Sequence, residues 1–504
     1  MPRSRAPRPF QPGSLSLDPG SRLPLYRQLY GALRGAMLAG RLPAGTKLPS
    51  SRMLAGQLRL SRNTVTAALE QLQTEGFLET TPRGGTRVAA GLRPSPGAGR
   101  PAATRPAALE RRAAPSARGL LLAGTGLAPA EPGAGSPRAF RPGAPAVDAF
   151  PRSLWTRLTL RRWRGSDLAL GYGDPAGILP LREAIATHVT VSREARCTAD
   201  QVIVVGGSQQ AFDLAARILL DPGDAAWLED PGYLGARAAL IGAGARVVPV
   251  PLDAEGLDVA EGERRAPEAR LACTAPSHQY PTGRTMSAGR RLQLLRWARQ
   301  AGAWILEDDY DSEFRFASRP IPCLQGMDSD ERVIYVGTFS KTLFPAIRLG
   351  YLVVPLHVAD TFRAARAVAD RHSPTVDQAV LADFIGEGHF GRHLRRMRGL
   401  YEERQAALLE FGRPALAEYL ELEPSDAGLH LVGWLPRGVD GQQAVAALRA
   451  AGVDAQALSR YAIEPCERDA LLLGYAAYDR RAIRRGVAEM RKALAAAWPE
   501  LSAP

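Results

Sequence analysis

A stretch of Pro, Gly, Ala and Arg running through residues 91–137 (GLRPSPG to PGAGSP) constrains this chain more than any other feature. It has little apolar periodicity and enough proline to be semi-stiff, which is the composition of a linker rather than of a packed element. A segment of this kind cannot lie inside one core, so the 504 residues must form separate units on either side of it. Residues 1–20, rich in Pro, Gly and Arg, read as a disordered lead; 21–90 form a small helical module, and 138–504 a large one.

Charge follows the same division. Residues 1–118 hold 19 Lys and Arg against 5 Asp and Glu, while the rest hold 45 against 46. Such asymmetry predicts a polyanion, nucleic acid first, as the partner of the N-terminal end. No apolar run approaches the ~18 residues of a membrane span, and MPRSRAPRPF has no apolar stretch behind it, so neither a membrane segment nor a secretory signal is expected. The four cysteines are widely spaced, without a CxxC pair, so no metal site is expected, and the reading is of a cytoplasmic protein. Of 64 basic residues only Lys47, Lys341 and Lys492 are lysine. Where a chain uses arginine for ordinary charge, a retained lysine is a candidate for chemistry that only a primary amine performs.

In the small module, Tyr26, Leu29, Leu33 and Met37 share one helical face, SSRMLAGQL (50–58) follows, and Val65, Ala68, Leu69 and Leu72 recur with helical spacing behind a capping Ser61. The exposed start of that third helix carries Arg62, Asn63, Thr64 and Thr66, side chains that reach base edges and phosphates. LETTPRGGTRVA (78–89) reads as two short strands around a turn, with Arg83 and Arg87 flanking it as a wing. GTKLPSSRMLAGQL, LSRNTVTAALEQLQTEGFLE and RGGTRV resemble, in order and spacing, the GntR family of bacterial regulators. The resemblance implies a winged helix-turn-helix that binds double-stranded operator DNA through Arg52, Arg62, Thr64 and the glycine region of the wing; Lys47, Asn63, Thr66, Arg83 and Arg87 are further candidate contacts read from the residues themselves. The competing reading is a three-helix bundle used for protein docking.

After residue 138 strand-like and helical segments alternate: QVIVV, AFDLAARILL, AAWLED, RVVPVP, RLACTAP, AGRRLQLLRWARQAG, WILEDD, RVIYVGTFS. Alternation predicts an α/β fold, a mostly parallel sheet with helices on both faces, whose ligands bind beyond the carboxyl ends of strands. The polar clusters GGSQQ, EDPGY, EDDYD and TFSK fall at those ends. Lys341 offers an amine for a Schiff base with an aldehyde cofactor. Asp308, or alternatively Asp309, offers the carboxylate that keeps a pyridine nitrogen protonated, and Tyr310 a donor for the ring's phenolic oxygen. Gly207, Ser208 and Gln209 start a helix where a phosphate would sit; Thr338, Ser340 and Arg348 complete the cup, and Tyr233 supplies a stacking ring.

That order resembles the fold-type I aminotransferases, as do GYGDPAGILPLREAIA (171–186) and HQYPTG (278–283). The resemblance implies pyridoxal 5'-phosphate on Lys341, Asp308 as pyridinium partner, Arg348 as a phosphate ligand, and a homodimer in which Tyr172 reaches the neighbour's cofactor phosphate. Together with the head, the chain resembles the MocR/GabR-type regulators, which implies a small-molecule effector: an amine, an amino acid or the cofactor itself. Two departures stand out. Tyr280 replaces the usual asparagine of the Asn-Pro-Thr-Gly segment, leaving Gln279 or His278 as substitutes, and Leu472 stands where catalytic members carry a carboxylate-binding arginine. Arg237 is a candidate for a different anion site. The expectation is a regulator with little or no net turnover; a working aminotransferase and a docking protein with a vestigial site are the alternatives.

Overall fold

The computed structural model describes residues 15, 17–81, 84–92, 114–127, 138–165, 171–316 and 321–502. The chain divides between Ala114 and Pro115 into two compact units.

In the first unit, α1 (Leu25–Leu38), α2 (Ser51–Leu58) and α3 (Arg62–Thr74) precede a hairpin of β1 (Leu78–Thr81) and β2 (Gly85–Val88). Leu29, Leu33, Leu54, Val65, Leu72 and Val88 form its core, so the helical stripes read from the sequence are the faces that become buried. Ser50 and Ser61 cap α2 and α3, accepting from the N–H groups of Met53 and Thr64. Between the two helices Arg59 adopts the left-handed conformation, which ends α2 and turns the chain.

The segment read as a linker is not structureless throughout. Ala117–Ala123 forms a helix, α4, capped by Ser116 and packed within the second unit. Leu122 meets Gly242, and Arg118 donates to the Gly242 carbonyl through Nε at 2.7 Å. The second unit continues with α5 (Arg152–Arg164) and α6 (Leu179–Arg193), then β3 (Val202–Val205), α7 (Ser208–Leu219), β4 (Ala225–Asp230) and α8 (Leu234–Ala243). Strands β5 (Arg246–Asp253), β6 (Gly256–Leu257), β7 (Leu271–Thr274), β8 (Trp304–Asp309), β9 (Val333–Thr338) and β10 (Gly350–Val353) complete the main sheet.

The strands lie in the order β3-β10-β9-β8-β7-β4-β5-β6. Pairs from β9 to β5 are parallel, while β10 runs against both of its neighbours and β6 folds back on β5. Both faces are covered: Val202 and Val204 of β3 enter one apolar cluster, Ile203 and Val205 another. Two-sided burial explains why these strands read as β-branched runs rather than as alternating patterns. A smaller antiparallel sheet follows from β11 (Glu421–Leu422), β12 (His430–Trp434), β13 (Gln456–Ala457) and β14 (Ala470–Gly474), ordered β11-β12-β14-β13 and joined to the main sheet by the long helix His389–Leu416. Phe140 bridges to Gly474 at the end of β14.

Among the described residues no helix is long and apolar enough to cross a membrane. None of the four cysteines is in a disulfide, and Cys273 and Cys323 are buried.

Candidate cofactor site and DNA-binding head

The carboxyl ends of β3, β4, β7, β8 and β9 share one edge, and the loops that leave them enclose a cavity of about 220 Å³. Ser208, Tyr233, Tyr310, Thr338, Ser340, Lys341 and Arg348 line it, together with Asp308. Because β10 is antiparallel, its amino end lies at this edge as well, which is how Arg348 joins the group.

Lys341 sits in a four-residue helix, Phe339–Thr342, rather than in an open loop. Its Nζ donates to the Gly143 carbonyl at 2.8 Å. Burial lowers its pKa, opposed by the Asp311 and Asp308 carboxylates. A buried amine held closer to its neutral form is the better nucleophile.

Asp308 and Asp309 are adjacent on β8 and therefore point to opposite faces of the sheet. Asp309 is engaged by Arg193 Nε at 2.7 Å and by the Tyr335 hydroxyl at 2.6 Å, and it does not line the cavity. Asp308 does, and its Oδ1 is buried without a hydrogen-bond partner. Burial first, then Asp309, Asp311 and Glu229, push its carboxyl well above the ordinary range. An acid in that position is suited to a protonated ring nitrogen.

At the other end of the cavity Gly207 has φ 105° and ψ 171°, a conformation close to glycine-only. A Cβ there would come within 3.0 Å of the Arg348 guanidinium. Thr338 Oγ1 accepts from the Ser340 N–H at 3.2 Å, and Ser340 Oγ is buried without a partner. A helix start, two hydroxyls and a guanidinium around a space cleared by a missing side chain fit a phosphate group.

Other candidate residues lie elsewhere. The Gln209 side chain donates to the Gly235 carbonyl at 2.9 Å, which leaves only its backbone near the cup. Gln279 does not enter the cavity: its amide donates to Glu229, Pro231 and Tyr280 and accepts from Thr282, so it ties two loops together. His278 is buried at 3.0 Å from Asp311 and from the Tyr310 hydroxyl. Arg237 is on α8, near Asp230 and off the cavity. Tyr172 is 82% exposed under the Arg371 guanidinium. Leu472 is fully buried with Leu234, Leu458 and Tyr461. Sequence reasoning missed Pro142, Gly143, Leu429 and His430, which also line the cavity; they come from distant segments and form no motif.

In the first unit Arg62 and Asn63 are exposed at the start of α3, with Arg52 exposed on α2. Thr64 and Thr66 are half-buried, and the Thr64 hydroxyl turns back to Ser61 at 2.8 Å. Lys47 bridges to Arg87 on the wing, and Arg87 donates to the Gly45 carbonyl at 3.2 Å. Arg83 lies outside the described residues.

Residues 25–88 match the family described as bacterial regulatory proteins, gntR family, and residues 162–460 the family of aminotransferases of class I and II. The probable rhizopine catabolism regulatory protein MocR of Rhizobium meliloti is 42% identical over 96% of this chain and 96% of its own length. The chain is a MocR-type regulator by family. The match extends across both units: the transcriptional regulator TauR of Rhodobacter capsulatus is 33% identical over 95% of this chain and 99% of its own. Among solved structures, the α-aminoadipate aminotransferase LysN of Thermus thermophilus, complexed with N-(5'-phosphopyridoxyl)-L-leucine, has 28% identity and a TM-score of 0.67 over 72% of this chain and 93% of its own. The kynurenine aminotransferase of Pyrococcus horikoshii, in complex with PMP, gives 26% and 0.66 over 78% and 97%. Pyridoxal phosphate is the cofactor of this MocR-type chain, and the donor set at its strand ends fits that group.

Proposed function

We propose that this MocR-type chain is a cytoplasmic, homodimeric regulator that binds operator DNA with its first unit and senses an amine, an amino acid or free pyridoxal phosphate with its second. The observation that carries the reading is the enclosure of the Lys341 amine and the unpartnered Asp308 oxygen in one cavity.

Bound pyridoxal phosphate supplies an aldehyde for covalent engagement of a primary amine and a ring that withdraws electrons. Lys341 would hold the aldehyde end, with the Gly143 carbonyl aiming Nζ. Asp308 would keep the proton at the ring nitrogen, Tyr233 would cover a ring face, and Tyr310 would donate to the phenolic oxygen. Ser208, Thr338, Ser340 and Arg348 would grip the phosphate, with Tyr172 of the second subunit completing the cup. Burial brings the pKa of His430 down to about 4, so it faces the cavity as a neutral ring at pH 7. Burial of Leu472 in an apolar cluster favours sensing over turnover, since an arginine fork there would orient a substrate carboxylate.

At the head, Arg62 and Asn63 would reach base edges and Lys47, Arg52 and Arg87 phosphates, with a salt-dependent affinity. The test pairs two measurements. Borohydride reduction and peptide mapping should place the cofactor's mass on Lys341, with the visible band absent in Lys341→Ala; footprinting should show protection upstream of the protein's own gene. Unmodified Lys341 in cofactor-saturated protein, or no footprint at low salt, would refute the proposal.

A further inference from the structure

Tyr310 lines the cofactor cavity, whereas His278 stands behind Tyr310 and does not line it. The two meet because β7 and β8 are parallel neighbours: His278 lies in the loop that leaves β7, and Tyr310 and Asp311 directly follow β8. His278 and Asp311 are 3% and 0% exposed, so water does not compete for their contacts.

The imidazole Nδ1 lies 3.0 Å from each carboxylate oxygen of Asp311 and 3.0 Å from the Tyr310 hydroxyl. Its Nε2 is buried and has no hydrogen-bond partner. Two glycines make room for the ring: a Cβ on Gly428 would come within 2.3 Å of its Cε1, and one on Gly283 within 3.2 Å of its Nε2.

These positions decide which way the protons point. A neutral imidazole carries one N–H and one lone pair. With the proton on Nε2, that N–H would be buried without an acceptor, and the Nδ1 lone pair would face two carboxylate oxygens. With the proton on Nδ1, it meets the Asp311 carboxylate and the Tyr310 oxygen, both of which accept. The second arrangement wins on both counts. Tyr310 then accepts from His278, and its own single proton is left for the cavity.

We infer that His278, aligned by Asp311, is a positioning residue that makes Tyr310 a hydrogen-bond donor toward the phenolic oxygen of the cofactor. The target of that donation rests on the cofactor reading above; the direction of the contact between His278 and Tyr310 does not. Without the imidazole, the Tyr310 hydroxyl loses the donor that fixes its rotor.

Two measurements test this. In protein carrying isotope-labelled histidine, nitrogen NMR is expected to find a proton on Nδ1 of His278, whose signals are those missing from His278→Asn. A lone proton on Nε2 would overturn the inference. This measurement is made on apoprotein, so it stands even if borohydride reduction places no mass on Lys341 and the cofactor reading fails. The second follows the pH midpoint of the holoprotein's visible band, which reports the proton that Lys341 Nζ shares with the phenolic oxygen. Asp308, Arg348 and His430 face the same cavity, Asp311 acts on Lys341 from behind it, and all four are unchanged in the variants. A hydrogen bond donated to the phenolic oxygen favours the deprotonated state, so its loss raises the midpoint. His278→Phe is expected to raise it by about 0.4–1 unit, the roughly two- to tenfold worth of one neutral hydrogen bond, and to add nothing once Tyr310→Phe is in place. His278→Asn, whose amide N–H takes the place of the Nδ1 proton, should recover at least half of that shift. An unchanged midpoint in His278→Phe, the same shift in the Tyr310→Phe background, or an Asn variant no different from the Phe variant would overturn the inference. If His278→Phe does not fold, the NMR measurement decides.

Discussion

Gly207→Ala probes the phosphate cup without touching a hydrogen-bonding group. Two costs follow from its position. At φ 105° and ψ 171° a side chain is strained by ~1–3 kcal/mol. In addition, the new methyl would meet the Arg348 guanidinium at 3.0 Å, and the guanidinium must withdraw from the space that a phosphate takes. Loss of one charge-assisted hydrogen bond costs about 1.5–3 kcal/mol, or roughly 10- to 150-fold in affinity. Gly223→Ala is the control: it has φ 98° but nothing within 4 Å of the added Cβ, so it carries strain alone. Titration of apoprotein with pyridoxal phosphate, followed by absorbance, should show the 10- to 150-fold loss for Gly207→Ala and wild-type affinity for Gly223→Ala. Cofactor affinity within twofold of wild type in Gly207→Ala, or an equal loss in Gly223→Ala, would refute the reasoning.

Burial raises Glu307 from 4.5 to about 7, so the folded chain keeps a proton that the unfolded chain releases; stability is lost as pH climbs through that interval, on the order of 3 kcal/mol for this group. Thermal melts from pH 4.5 to 8 should therefore fall less steeply in Glu307→Gln than in wild type, and parallel curves would contradict the assignment. Arg193→Met leaves Asp309 charged in a dry environment and should cost about 3–5 kcal/mol in urea unfolding, whereas a cost below 1 kcal/mol would mean that Asp309 finds another partner. Arg62→Ala should weaken operator binding by about 1–3 kcal/mol in gel shifts while leaving the visible band unchanged; an altered band would mean that the variant disturbs more than the DNA contact.

The sequence made the large features legible because each had a physical signature. Helical stripes at Leu29–Leu33 and Val65–Leu72 became the core of the head, and the β-branched runs became strands buried on two faces. Lys341 stood out through the scarcity of lysine. Period-2 alternation alone says that Asp308 and Asp309 diverge without saying which one faces the ligand; the family resemblance favoured Asp308, and Asp308 is the one that lines the cavity. Gln279 looked available as a substitute for the asparagine that Tyr280 replaces, and only the fold reveals that its amide is used up in joining loops. Helix α4 was hidden because its leucines lie among proline and glycine and remain largely exposed, Leu120 by 60% and Leu121 by 59%. The smaller sheet escaped notice for another reason: its strands run from two to five residues and come from separated segments, too short for periodicity to register.

Helix α8 begins immediately after Tyr233, whose ring lines the cofactor cavity, and near its far end Gly242 is clasped by Arg118 and Leu122. It has ten residues, ~15 Å of a rod that resists stretching and bending along its axis. A ring of the cofactor cavity and the anchoring point of α4 therefore sit at the two ends of a single helix.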